Sequence, residues 1–546
     1  MTHNSHAPER GGKASGISAQ ETLVTRRSAC RVLGVSVLMP LASCDDSRPD
    51  PDPVPTNQAP SADAGSNQAV RTSSQVTLDG SRSRDLNGDS LKYRWSLTAR
   101  PFGSVAVLAG ADSAHPTFTA DVAGDYIASL TVNDGKLDST NTATVTVTCT
   151  PTYALRGLNF SPYVDGQNPN LGATVGGAQI TARLDIVRRY TRAIRTFGSS
   201  SGLEAIPALA KAAGLEVVAG AWISANTAAN DVELTNLVAN AASCKALLVG
   251  SEVLLRGDIS EDALLAYIAR VKAAAPSTPV GYADTYATLL AHPRVLAAVD
   301  VIYANFYPYW EGIGIDRAAA AIQNQYTQLV AAAGRKPVVV GETGWPSAGN
   351  TIGSAFASAE NAATFFLNFV SWAEAKNVEY FYFEALNENW KTTEGPQGIH
   401  WGLWTADGLL KPGMQPVFDG NRSADTWTPS LEITHVPAYG STEDLTGRVL
   451  YLVDPSQYKI VVYINVAGGW WIKPYASSPV TNIVSDGNWT TDVTTGTAGD
   501  DPHATQIAVY LETASYSPPI LLGSIGLPNE LAINSVTSQI ITRAPT

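Results

Sequence analysis

The sequence predicts a multidomain protein in which a (β/α)8 TIM barrel is flanked by an N-terminal and a C-terminal β-sandwich. Three observations predict it. The chain has 546 residues, and at roughly 150 residues per domain that is about three to four domains. From about residue 153 to 425, apolar runs of strand length alternate with alanine-rich helical segments. On either side, at 58–150 and 426–546, short alternating segments are separated by Gly, Asp and Ser turns.

Composition narrows the function. Charged residues make up 16% and hydrophobic residues 45%, which suits domains with large cores, and the formal charge of −13 argues against a nucleic-acid partner. Four cysteines (Cys30, Cys44, Cys149, Cys244) show neither metal-site spacing nor a disulfide framework, so neither a zinc site nor a disulfide scaffold is expected; no metal and no cofactor is expected for the chain. The stretch TRRSACRVLGVSVLMPLASC has an arginine pair, Arg26 and Arg27, then an apolar run too short for a comfortable membrane span. It reads as an export signal over residues 1–44, and its Leu-Ala-Ser-Cys ending resembles a bacterial lipobox. That resemblance implies lipidation at Cys44 and a cell-envelope location, lipid-anchored or secreted. The plainer alternative is a buried helix. The Pro-rich, acidic residues 45–57 read as an extended spacer.

Residues 58–150 alternate as a small sandwich does, in QVTLDG, LKYRWSL, YIASLTVNDG and NTATVTVT. QVTLDGSRSRDLNGDSLKYRW followed by FTADVAGDYIASLTVNDG resembles the PKD repeat family, which implies an immunoglobulin-like β-sandwich acting as a spacer or weak glycan contact. The loop Asp85-Leu86-Asn87-Gly88-Asp89 has oxygens at alternate positions, but an Asx-rich turn explains it without calcium.

In the barrel segment the strands are read in ALRGLNFSPY, AIRTFG, LEVVAGAWI, KALLVGSEVL, PVGYADTY, VDVIYANFYPY, KPVVVGETGWP and VEYFYFEALNENWK. Helices are read between them, as in LEAIPALAKAAG, SEDALLAYIARVKAAAP and AENAATFFLNFVSWAEAKN. Catalytic groups of such barrels sit at the C-terminal ends of the strands. C-terminal strands are read in GRVLYLVD, KIVVYINV, GGWWIKPY, TQIAVYLE and PPILLGSIG, where Trp470-Trp471 is either core or a sugar platform.

Two strand ends carry the chemistry. VGSEVL puts Glu252 at the end of the fourth strand and VVVGETGWP puts Glu342 at the end of the seventh, so both carboxylates face one cleft. Glycosidic cleavage needs such a pair, one group protonating the departing oxygen and the other meeting the charge at the anomeric carbon. A lone strand-end glutamate is usually structural; two at these strands are far more specific.

VGSEVL, NFYPYW, VVVGETGWPSAG and FYFEALNENWK…GLWTADGLLKP resemble glycoside hydrolase family 17, the β-1,3-glucanases and related transferases of clan A, over nearly the whole of 153–425. The resemblance implies a retaining glycosidase with Glu252 as acid/base and Glu342 as nucleophile. It also implies that Glu388 and Lys391 form a Glu-x-x-Lys pair in the groove and that Asn305 and Tyr307 flank the nucleophile. Lys391 is expected to hold Glu342 or Glu388 anionic, and Tyr307 to donate to the nucleophile. Trp222, Trp310, Trp345 and Trp390 lie at or after strand ends, and about half of them are expected to stack on sugar. Gly344-Trp345-Pro346 is expected to turn the chain into the site wall. The family usually has Asn before the acid and this chain has Ser251, which puts the contact to the sugar 2-hydroxyl in doubt.

Three other readings compete. A β-1,3-glucanosyltransferase would use the same two glutamates. A non-catalytic glycan-binding surface protein is disfavoured by the intact pair. Gly198-x-Ser200-x-Gly202 satisfies the serine-esterase elbow, but His292 and His400 have no supporting context. The expected partners are therefore a β-glucan polysaccharide or oligosaccharide and, through the lipid anchor, a membrane.

Overall fold

A computed structural model describes residues 56–495 and 499–544. The leader over 1–44 with Cys44, and the spacer up to residue 55, lie outside the described residues.

The N-terminal strands are β1 (Gln68–Arg71), β2 (Ser74–Thr77), β3 (Lys92–Ala99), β4 (Thr117–Ala120), β5 (Gly124–Asn133) and β6 (Ala143–Thr150). They form a β1-β6-β5-β3 sheet and a β2-β4 pair. Period-two alternation sets the core: Tyr126, Ala128, Leu130 and Val132 of β5 point inward onto Trp95, Phe118 and Val147. In the Asp85 loop, the Asp85 carboxylate accepts from the backbone N–H groups of Asn87 and Asp89, an Asx turn. This module is docked on the barrel. Arg189 pairs with Asp125 at 2.9 Å, the Ala123 N–H donates to Tyr190 Oη, and Thr72 and Ser73 donate to Asp419.

Seven parallel strands make the barrel: β7 (Leu158–Asn159), β8 (Ala193–Arg195), β9 (Glu216–Ala221), β10 (Ala246–Ser251), β11 (Val280–Thr285), β12 (Val301–Asn305) and β13 (Val338–Glu342). The eighth position is an extended segment whose Tyr380 bridges Val340 and whose Tyr382 bridges Leu158, so the ring is nearly closed. Ala193, Val218, Leu248, Ala283, Tyr303 and Val339 fill its interior.

The outer layer comprises α1 (Gly177–Val187), α2 (Ile206–Ala212), α3 (Thr227–Ala239), a single turn α4 (Val253–Arg256), α5 (Glu261–Ala274), α6 (Tyr286–Ala291), α7 (Pro293–Ala298), α8 (Ile315–Ala333), α9 (Ala359–Ala375) and the short α10 (Gln415–Phe418). Side chains of Asn226, Ser260 and Ser358 cap α3, α5 and α9 by accepting from N–H groups of their first turns.

The C-terminal strands are β14 (Ser430–His435), β15 (Leu445–Leu450), β16 (Tyr458–Val466), β17 (Gly469–Lys473), β18 (Asn488–Thr491), β19 (Gln506–Thr513), β20 (Leu522–Ser524) and β21 (Thr537–Thr542). A three-stranded β14-β15-β18 sheet and a five-stranded β20-β17-β16-β19-β21 sheet share a core of Leu445, Val449, Val462, Trp489 and Val509. The five-stranded sheet buries a second layer on its other face, where Trp470 packs with Tyr463 and with Leu531 of α11 (Asn529–Asn534). Trp470 is core, while Trp471 is 39% exposed.

Candidate active site

Two backbone irregularities aim the glutamates. Val339 faces the barrel interior, so strict alternation would turn Glu342 toward the helices. The ladder between β12 and β13 shifts between Ala304 and Asn305, with Gly341 as the extra residue, and this bulge turns Glu342 into the mouth. A Cβ at Gly341 would stand 2.9 Å from Asn305 Oδ1, so any larger residue there would displace the Asn305 amide. A second shift, between Leu248 and Ser251, ends β10. Gly250 there has φ +92°, and Glu252 itself sits in the left-handed region at φ +54°, which non-glycine residues seldom occupy. Its segment is held by β11: the Glu252 N–H donates to Ala283 O at 2.8 Å, Leu254 N–H to Tyr282 Oη, and Leu255 N–H to the buried Asp284.

Both carboxyls line one cavity of about 460 Å³, with Ser251, Glu388, Trp390 and Lys391. Their surroundings differ. Glu342 accepts from Arg195 Nη1 at 2.7 Å, Tyr307 Oη at 2.7 Å and Ser251 Oγ at 3.2 Å. Burial and the charge of Glu342 push the Tyr307 phenol well above its ordinary pKa, so it stays a donor. Among the described residues no cation is bonded to the Glu252 carboxyl, whose one hydrogen bond is from the Asn305 side-chain amide at 2.8 Å. Burial, then the negative charge of Glu342, raises its pKa to about 7.

Beside the pair lies a buried cluster. Lys391 Nζ stands 2.6 Å from Glu388 and 2.7 Å from Glu384, and all three side chains are buried. Glu384 is driven well above the carboxylate range by burial, against the pull of Lys391. Glu388 is held below that range despite its burial, by Lys391 and by hydrogen bonds that include one from Ser161. Trp390 Nε1 also donates to Glu388 at 2.9 Å, so this carboxylate fixes an indole that lines the cavity.

Several expectations need correction. Asn305 stands beside Glu342 in the β12–β13 ladder, but its amide donates to Glu252. Of the two carboxylates expected for Lys391, it holds Glu388, and the cation on Glu342 is Arg195. Trp345 is 1% exposed, packed between Tyr309 and Phe365 with Nε1 bonded to Phe356 O, so it is core beneath the site and no sugar wall. Of the four tryptophans, Trp222 and Trp390 line the cavity, and Trp310 is exposed but leans on Trp401 outside it. Ser251 bridges Arg195 and Glu342 directly, with Arg195 Nη2 donating to its Oγ at 2.9 Å. In the Gly-x-Ser-x-Gly loop, Ser199 N–H and Ser200 Oγ donate to the buried Glu233, and no histidine is among the residues lining the cavity. No group of three or more His, Cys, Asp or Glu that could hold a metal occurs among the described residues.

Sequence reasoning passed over Arg195, Ser161 and Glu384. Arg195 left a signal in AIRTFG: a charge inside a buried barrel strand must have a partner, and at a strand's C-terminal end that partner is a site residue.

Known proteins resemble this chain in two stretches. Residues 64–149 match a PKD domain family, and residues 157–402 match the BtgE/BtgC glycoside hydrolase domain. A glucan 1,3-beta-glucosidase of Arthroderma benhamiae is 32% identical over 299 residues, 50% of this chain and 94% of that protein. The chain belongs to this glycoside hydrolase family. A glucan 1,3-beta-glucosidase of Candida albicans is 29% identical over 264 residues, 43% of the present glycoside hydrolase and 86% of the relative. A solved glycoside hydrolase family 17 beta-1,3-glucanosyltransferase from Rhizomucor miehei is 32% identical, covering 48% of this chain and 96% of that one, with a TM-score of 0.43. The homology covers the barrel; the C-terminal strands lie beyond the matched domain.

Proposed function

We propose that this chain cleaves β-1,3-glucan with retention of configuration, with Glu342 as the nucleophile and Glu252 as the acid/base. The observation that carries the assignment is the opposite treatment of the two carboxyls: three donors with an arginine on Glu342, burial and a raised pKa of about 7 on Glu252. In the first step a Glu342 oxygen bonds to the anomeric carbon while the Glu252 proton passes to the departing glycosidic oxygen. Loss of the Glu342 charge then lowers the pKa of Glu252, and Asn305 donates to the carboxylate that remains. In the second step Glu252 takes a proton from water, whose oxygen displaces Glu342. A retaining pair works at about 5 to 5.5 Å between carboxyls. Trp222 and Trp390 border the cavity as faces on which sugar rings stack.

A sugar hydroxyl in place of that water gives transfer, so the test reads products. Purified protein is incubated with linear β-1,3-gluco-oligosaccharides in heavy-oxygen water and analysed by mass spectrometry. Shorter, labelled products mark hydrolysis; longer, unlabelled products mark a glucanosyltransferase. Glu342→Ala abolishes either, and turnover by that variant refutes the nucleophile. Glu252→Ala spares the first step of substrates with good leaving groups, and equal loss on both substrate classes refutes the acid. From the lipobox-like sequence we also infer attachment to a bacterial envelope through Cys44; Cys44→Ala would release the protein from the membrane fraction.

A further inference from the structure

The wall beside Glu252 contains an arginine that none of these steps uses. Arg256 ends the single turn α4 that begins directly after Glu252. Its guanidinium lies over the Trp222 ring, 4.5 Å from the centroid, and both residues line the cavity. Three hydrogen bonds fix it: Nη1 to Ser251 O at 2.6 Å, Nη2 to Ile223 O at 3.1 Å and Nε to Asp258 at 2.8 Å. One of these carbonyls belongs to the residue before the acid, the other to the residue after Trp222. The tryptophan's backbone is tied as well: its main-chain N–H donates to the buried Glu233 at 2.9 Å. Even beneath the guanidinium it remains 45% exposed.

We propose that Arg256 is a positioning residue that couples the Trp222 sugar contact to the backbone carrying the acid. The proposal rests on the glucan-cleaving function above. Arg256 holds the indole by stacking and holds the left-handed turn at Glu252 by closing α4 back onto Ser251 O. One rigid, planar group therefore positions both the indole against which a sugar sits and the segment that protonates the departing oxygen. Lysine keeps a cation near the ring but lacks the fork that reaches both carbonyls.

The test separates the two links by substrate and by kinetic constant. Trp222→Ala raises KM for β-1,3-gluco-oligosaccharides about fivefold and leaves kcat nearly unchanged. Arg256→Ala raises KM by the same factor and also lowers kcat on oligosaccharides about tenfold or more, as a displaced catalytic group does. It spares the first step of an aryl β-glucoside with a good leaving group, which needs no proton. In the double variant the KM effects do not add, while the kcat loss persists. Arg256→Lys recovers KM and not kcat, and it carries the test if the alanine variant fails to fold. Wild-type constants in the arginine variants, additive KM effects, or equal kcat losses on both substrate classes would overturn the proposal while leaving the function intact. Absence of turnover by the unaltered chain would remove both.

Discussion

The raised pKa of Glu252 makes the pH profile the sharpest probe of the site. With a value of about 7, the protonated fraction of free enzyme falls about tenfold per pH unit on the alkaline side, and kcat/KM on oligosaccharides falls with it. Asn305→Ala perturbs this limb in a direction the structure fixes. The Asn305 amide donates to Glu252 at 2.8 Å and favours its charged form. Removing it disfavours the anion, so the limb moves to higher pH. A hydrogen bond to a charged group contributes about 1.5–3 kcal/mol, and one pH unit corresponds to about 1.36 kcal/mol. Water entering the vacated space offsets part of this, leaving an expected move of about one pH unit. The assay is kcat/KM against pH on β-1,3-gluco-oligosaccharides for both proteins, with an aryl β-glucoside bearing a good leaving group as the control whose first step lacks this limb. A limb that stays in place or moves down in Asn305→Ala would refute the reasoning.

Three further outcomes follow from named contacts. Arg195→Met leaves Glu342 buried without its cation, so thermal and denaturant unfolding should show a loss of about 3–5 kcal/mol; kcat should fall about a hundredfold or more, since the nucleophile loses its most strongly charged donor. Trp345→Ala should cost about 3–5 kcal/mol of stability with KM unchanged in the folded fraction, whereas Trp390→Ala should raise KM; a KM effect at Trp345 would return it to the sugar wall. Glu252→Gln should stabilise the fold in a pH-dependent way: the folded pKa lies above the unfolded value of 4.5, so the penalty is absent below that pH and complete above about 7. Unfolding at pH 5 and pH 8 should differ by at most about 3 kcal/mol, with the larger gain at the higher pH.

What the sequence discloses about this site follows from what a linear pattern can encode. An apolar run ending in a carboxylate places Glu252 and Glu342 at strand ends, because burial and period are local properties. The facing direction of Glu342 is not local. Counting from Val338 by twos gives the wrong face, and only the extra residue at Gly341 in the ladder with β12 corrects it. Hydrogen-bond partners are less legible still. Asn305 and Tyr307 are two residues apart and serve different glutamates, because β12 ends between the two strands that carry them. Trp345 stands in the most recognisable stretch of the chain, yet the turn it belongs to drives its ring inward under Tyr309. A motif records that a residue matters and leaves open whether it touches substrate or holds up the residue that does.

The roles proposed for the two glutamates also fit how the barrel distributes its buried cations. Lys391 is committed to Glu384 and Glu388, and Arg195 donates to Glu342, Ser251, Asn159 and Gly341 O. Arg256, the next cation along the wall, is spent on two carbonyls and on Asp258. Glu252 is left with a neutral amide, in a setting where an unpaired charge costs several kcal/mol. A carboxyl so placed lowers its free energy by keeping a proton, which is the state a general acid needs. The same setting makes the proton available on demand: when Glu342 bonds to sugar and loses its charge, the repulsion that kept Glu252 protonated disappears. Acid and base behaviour in turn thus require no movement of Glu252. They require only that its partner across the cleft be charged in one step and neutral in the next, and that each cation nearby be held elsewhere throughout.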